Sequence, residues 1–159
     1  MLNNFFTNTI NIIIMKKFYS LFFLFALVVS ANAQQQEPVI TLTYTADGTE
    51  HELNFGSAVA EENIVSIDWG DGTIVEAAKL VGVFDNYDVL VKTVTGTPKG
   101  EGKVKIYATK PLNDFECTSN MNGTGVTALD VSKATELKWL SANGNKLTEL
   151  DLSQNTKLY

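Results

Sequence analysis

The sequence predicts a mainly β chain, a small β-sandwich followed by the start of a stacked-coil solenoid. Two observations predict it. Up to residue 110, about six short runs of β-branched and aromatic residues alternate apolar with polar and are separated by Gly, Asp and Pro turn signals. From residue 112 the pattern changes to a nine-residue motif that recurs four times.

The first 33 residues read as a targeting segment and not as fold. Met15-Lys16-Lys17 forms a positive start, residues 18–30 are apolar or small, and Ala31-Asn32-Ala33 offers the small residues of a cleavage site. The apolar run is 13 residues, short of the roughly 20 that cross a bilayer. Met15 is the expected true start and Ala33 the expected last residue removed. The rival is one uncleaved anchor over residues 5–29, which Lys16 and Lys17 interrupt at high cost. No cysteine lies near the cut, which argues against a lipoprotein anchor.

Residues 34–38 form a short polar leader, and residues 39–110 the sandwich. Ile40, Leu42 and Tyr44 share one face of the first strand, and Asp47-Gly48 marks a turn. His51, Leu53 and Phe55 repeat the two-residue period. A strand over residues 64–69 turns at Gly70-Asp71-Gly72 and returns over 73–75. Residues 77–87 give a mixed signal, 89–94 are strand-like, and 103–107 alternate Lys with apolar residues.

Residues 111–159 follow a different rule. Segments 112–120, 126–134, 137–145 and 147–155 fit L-x-x-L-x-L-x-x-N, and Leu158 opens a fifth. Leu129-Asp130-Val131-Ser132 returns 21 positions later as Leu150-Asp151-Leu152-Ser153. Four extra residues within 121–125 read as a loop insertion. The L-x-L core is a short strand with alternate side chains inward, and each coil buries its leucines only against neighbouring coils. The Asn can direct its amide to backbone groups freed by the turn, which an apolar residue cannot.

These segments resemble the leucine-rich repeats of bacterial secreted and surface proteins, the subgroup with 21-residue coils and a Cys or small residue after the second Leu. Cys117 and Ala142 occupy that slot. The resemblance covers residues 112–159 and departs at Ala134, where Asn is expected, and at Phe115 and Val126. Val65-Ser66-Ile67-Asp68-Trp69-Gly70-Asp71-Gly72-Thr73 is similar to the W-G-D-G-T hairpin of PKD-like, immunoglobulin-type modules, a shorter and less specific motif. Two coils are fewer than the three or so that a solenoid needs, and no polar capping unit follows. A longer gene product is therefore expected.

Charge and cysteine usage narrow the function. The 12 basic residues are all Lys and two leave with the signal, so the remainder sets ten Lys against 18 acidic residues, a net of −8. An acidic chain without Arg is a poor partner for nucleic acid or anionic membrane, and no membrane insertion is expected after cleavage. One cysteine excludes an internal disulfide.

The sequence offers no catalytic constellation, cofactor fingerprint or metal motif, so a non-enzymatic protein without cofactor is expected. Asp68, Asp71 and Glu76 are compatible with a calcium cluster, but a tight hairpin with Asp-Gly at positive φ accounts for them more simply. His51 has no second ligand at suitable spacing. Cys117 falls on an inward position, where a thiol acts as a small hydrophobe. The candidate partner face is the set of outward x positions: Asn113, Asp114, Glu116, Lys138, Trp139, Ser141, Thr148, Glu149 and Asp151. Trp139 reads either as an interface anchor or as cover for the coil edge. Which segment of each coil presents the face stays open.

These readings lead to a secreted or cell-surface binding module whose partner is an extracellular protein. Two alternatives stand beside it. One is a glycan-binding sandwich with Trp69 or Tyr87 as aromatic contacts and the repeats as spacer. The other is the non-catalytic part of a larger exported enzyme.

Overall fold

The described residues form nine strands and no helix, and in β1, β3 and β6 buried apolar residues alternate with more exposed ones over most of the strand. The computed structural model describes residues 36–45, 47–81, 91–119 and 125–159. The chain separates into two units, Met1–Glu37 and Pro38–Tyr159. The export segment expected over residues 1–33 lies outside the described residues, as does Tyr87. Among the described residues no helix is long and apolar enough to cross a membrane.

The strands are β1 (Ile40–Tyr44), β2 (His51–Gly56), β3 (Asn63–Asp68), β4 (Ile74–Leu80), β5 (Lys92–Gly96), β6 (Lys103–Ala108), β7 (Asp114–Glu116), β8 (Val126–Asp130) and β9 (Trp139–Ser141). They form two sheets, one of five strands in the order β4-β3-β6-β1-β8 and one of four in the order β5-β2-β7-β9. Every pairing is antiparallel except β7 with β9. The architecture is therefore mainly β, consistent with a sandwich.

The two-residue period places the core between the sheets. Ile40, Leu42 and Tyr44 of β1, Val65 and Ile67 of β3, and Val104 and Ile106 of β6 are buried from the first sheet. Leu53 and Phe55 of β2 and Phe115 of β7 are buried from the second. The Phe55 and Phe115 rings meet at 5.6 Å between centroids with a tilt of 35°, a favourable offset geometry.

The turn between β3 and β4 follows from its residue types. Gly70 and Gly72 have φ of 105° and 80°, and Asp68 Oδ1 accepts from both of their amides at 2.9 Å. Trp69 is half-buried against the backbone of Gly96, where a Cβ would lie 2.2 Å from the indole. β4 is longer than the stretch 73–75 read from sequence, because its residues up to Leu80 pair with β3.

The change of pattern after residue 110 is a change of connectivity within the second unit. β7 pairs with β2, and β8 pairs with β1, so successive nine-residue segments extend opposite sheets. The third segment supplies β9, parallel to β7 with Phe115 opposite Leu140. The fourth segment carries no strand, in contrast to the short strand its pattern predicts. Lys146, just before it, donates its N–H to Val126 O at the start of β8, and among the described residues no strand of the first sheet lies beyond β8 to fix the segment.

Several contacts among these segments recur 21 residues apart. Ala134 N to Val131 O and Leu137 N to Ala134 O correspond to Asn155 N to Leu152 O and Leu158 N to Asn155 O. Ser132 N donates to Asp130 Oδ1 as Ser153 N does to Asp151 Oδ1. Asn145 donates its Nδ2 to Cys117 O and Ala142 O at 2.7 and 2.9 Å, and its Oδ1 accepts from Val126 N. Asn155 donates to Val131 O and Ala134 O at 3.0 and 2.9 Å. Asn155 thus holds two carbonyls of the second segment, and Asn145 one of the first segment and one of its own.

Candidate functional site

The outward face of the second sheet is assembled by strand register. Phe55, Phe115 and Leu140 are opposite one another and point inward. Alternation therefore turns their chain neighbours outward. One cross-strand row contains Thr93, Asn54, Glu116 and Ser141, and the next contains Gly56, Asp114 and Trp139.

The first row is a chain of polar contacts. Thr93 Oγ1 donates to Asn54 Oδ1 at 2.6 Å, and Asn54 Nδ2 donates to Glu116 Oε2 at 3.3 Å. Thr118 Oγ1 donates to Glu116 Oε1 at 2.9 Å and lies 3.1 Å from Ser141 Oγ, which accepts from Asn143 Nδ2 at 3.3 Å. These bonds fix the rotamers of a row that runs across all four strands, so a partner meets preset polar groups.

Beside it stand Trp139 and Asp114. The Trp139 side chain is 52% exposed, while Asp114 is half-buried and its Oδ2 is enclosed without a hydrogen bond. Burial holds the Asp114 carboxyl above the ordinary carboxylate value, partly offset by the Lys138 ammonium. The folded chain then binds this proton more tightly than the unfolded chain, so this group lowers stability as pH rises from about 4 through its folded value. Asp114→Asn is expected to remove that slope and to be at least as stable as wild type at pH 7. Urea denaturation at pH 4 and pH 7 measures both, and a variant weaker at pH 7 overturns the expectation.

The structure brings Asp114, Glu116, Trp139 and Ser141 onto this one face, with half-buried Lys138 adjoining. Asn113 is elsewhere, only 6% exposed. Its Oδ1 accepts from Ala58 N at 2.6 Å and its Nδ2 donates to Glu136 O at 3.0 Å, so it ties two loops together. Thr148, Glu149 and Asp151 are exposed on the fourth segment. Asp151 acts on Asp130 as a like charge. Of the nine positions, Asn113 is the one that is buried, while Thr148 and Glu149 line one cleft with Trp139. Asn54, Thr93, Thr118 and Asn143 join the face without having been identified from sequence.

The remaining candidates have structural roles. Asp71 pairs with Lys99 at 2.7 Å, and its Oδ1 accepts from Thr73 N. Asp68 is buried, with Oδ2 3.7 Å from Lys105 Nζ. Among the described residues no group of three or more His, Cys, Asp or Glu could hold a metal ion. The His51 ring packs on Tyr44 at 4.1 Å, and burial lowers its pKa. Cys117 is buried, and burial pushes its thiol up to about 12, far from the thiolate that nucleophilic chemistry requires.

The chain matches no protein-family model, no curated protein and no solved structure.

Proposed function

We propose that the chain is an exported binding module, in which a PKD-like sandwich caps a leucine-rich solenoid and the outer face of the second sheet receives an extracellular protein. The observation that carries this reading is the continuous row from Thr93 to Ser141, bordered by the exposed indole of Trp139. A large rigid aromatic beside pre-ordered polar groups combines area with orientation, the composition that dominates interface energetics. The 21-residue recurrence of contacts from Ala134 to Leu158 supports the solenoid. The export assignment rests on the sequence of residues 1–33, and the binding role is read as non-catalytic.

A second reading has the same face binding a glycan, favoured by Trp139 standing beside the Asp114 and Glu116 carboxylates. Affinity capture from a cell-surface fraction, followed by direct titration of the captured protein, tests the first. Trp139→Ala is expected to weaken binding at least about 30-fold, the effect of a central anchor of about 2 kcal/mol. Lys103→Ala on the other sheet is expected to leave it unchanged. Equal affinity for wild type and Trp139→Ala removes the face from consideration. A glycan-array signal that needs Trp139, with no protein captured, replaces the first reading by the second.

A further inference from the structure

The outer face of the second sheet carries one sign of charge. Its outward strand positions hold three carboxylates, Glu52, Asp114 and Glu116, and no lysine. We infer that this face receives a basic protein surface, with an arginine of the partner laid on the Trp139 indole and paired with Glu116. The inference rests on the binding face proposed above and names the chemistry of its occupant.

The first argument is how charge divides between the two sheets. On the outer side of the first sheet, Lys79, Lys103 and Lys105 are interspersed with Asp68, Glu76 and Asp130. Lys105 lies against Asp68, and Lys79 against Glu76 and Glu62, so charge there is compensated within the chain. The ion pairs of Lys99, Lys110 and Lys157 also go to other acids, Asp71, Glu61 and Glu136. On the second sheet Lys138, next to Trp139 in the chain, offsets part of the Asp114 charge from the side. Glu52 and Glu116 are instead gathered around a neutral group. Asn54 Nδ2 is 3.3 Å from Glu52 Oε1 and 3.3 Å from Glu116 Oε2. An approaching cation meets two like charges already held together, and relieves their repulsion.

The second argument is geometry, which favours a guanidinium over an ammonium. Each Glu116 oxygen accepts one bond from the chain, Oε1 from Thr118 and Oε2 from Asn54. A carboxylate has about four lone-pair sites, so both oxygens keep capacity and the group is already oriented for a bidentate partner. Trp139 stands opposite Asp114, and Glu116 follows two residues along β7 on the same side. The indole, 52% exposed, is the best aromatic platform for a cation. A planar guanidinium can stack on it and reach a carboxylate with its fork, which a point-charge ammonium cannot do. All 12 basic residues of this chain are Lys, so a second copy cannot supply the group, and the partner is a different protein.

The test titrates the full chain with a fluorescent oligo-arginine peptide, read by anisotropy, beside an oligo-lysine of equal length. Trp139→Ala, and the pair Glu52→Gln with Glu116→Gln, are each expected to weaken oligo-arginine binding at least about tenfold. Glutamine keeps the volume and an acceptor oxygen. The pair Glu76→Gln with Asp130→Asn removes the same charge from the other sheet and is expected to change affinity less than about twofold. Oligo-lysine is expected to bind more weakly than oligo-arginine. Equal losses from the two charge pairs would reduce the effect to net charge and overturn the proposal, as would equal affinity for the two peptides. A glycan-array signal that needs Trp139, with oligo-arginine unbound, overturns it in favour of the glycan. A protein captured through Trp139 whose affinity ignores added salt and the Glu52→Gln and Glu116→Gln pair keeps the binding face and removes the basic occupant. Loss of Trp139 dependence with every probe removes both.

Discussion

Phe115→Ala is expected to destabilise the second unit by about 3–5 kcal/mol, the usual cost of truncating a fully buried ring. Phe115 is 0% exposed and lies in the three-residue strand that joins β2 to β9. Its removal strips the partner from Phe55 and leaves a void that β7, hydrogen-bonded on both edges, can collapse into only in part. Because the strand is shared, the loss should be felt on both sides of residue 110. Urea unfolding can be followed by the two tryptophans in turn, Trp69 beside the β3–β4 hairpin and Trp139 in β9, using Trp→Phe backgrounds. Both probes are expected to report one coincident transition, shifted by the same amount in Phe115→Ala. A transition at Trp139 that precedes the one at Trp69 would show instead that the segments after residue 110 fold as a separate body.

The parts of this arrangement that were legible in the sequence are those set by local periodicity. Alternation alone places Ile40, Leu42 and Tyr44, or Leu53 and Phe55, on the buried face of their strands. The same alternation within β7 and β9 placed Asp114, Glu116, Trp139 and Ser141 outward, and only strand pairing was needed to bring them together. What stayed hidden depends on which strand lies beside which. Asn54 and Thr93 belong to the face because β2 separates β5 from β7, a neighbour relation that no short window of sequence encodes. The repeat template treats all outward positions as equivalent, yet successive strands β7 and β8 join opposite sheets, which the nine-residue pattern does not encode. Asn113 fits an outward slot by pattern, but the crossing into β7 turns it toward the Ala58 amide.

Asn63→Ala is expected to cost about 1–3 kcal/mol, since the part-buried Lys110 amide and carbonyl lose the partner that a fully buried side chain gives them. Asn63 is 0% exposed at the start of β3, a position where a polar residue reads in sequence as part of a turn. Its Nδ2 donates to Ser57 Oγ at 3.1 Å, Lys110 O at 2.9 Å and Pro111 O at 3.2 Å. Its Oδ1 accepts from Lys110 N at 2.8 Å. Ser57 Oγ in turn donates to Pro111 O at 3.0 Å. This one amide therefore clamps residues 110–111, where the chain leaves β6 in the first sheet and crosses to β7 in the second. Asn63→Leu fills the volume and still leaves the Lys110 amide and carbonyl without partners, so it should recover little. Asn63→Asp keeps the acceptor but buries a charge, and its deficit should grow as pH rises from the ordinary carboxylate value of about 4 to the raised folded-state value, and level off above it. Asn54→Ala, on the solvent side of β2, should cost under about 1 kcal/mol by comparison. Denaturation midpoints for the four variants check the order, and an Asn63→Ala loss no larger than that of Asn54→Ala would refute the clamp. With the clamp gone the crossing loosens. Because β7 takes its place from that crossing, the Glu116 row and Trp139 should lose their alignment before the first sheet loses its core.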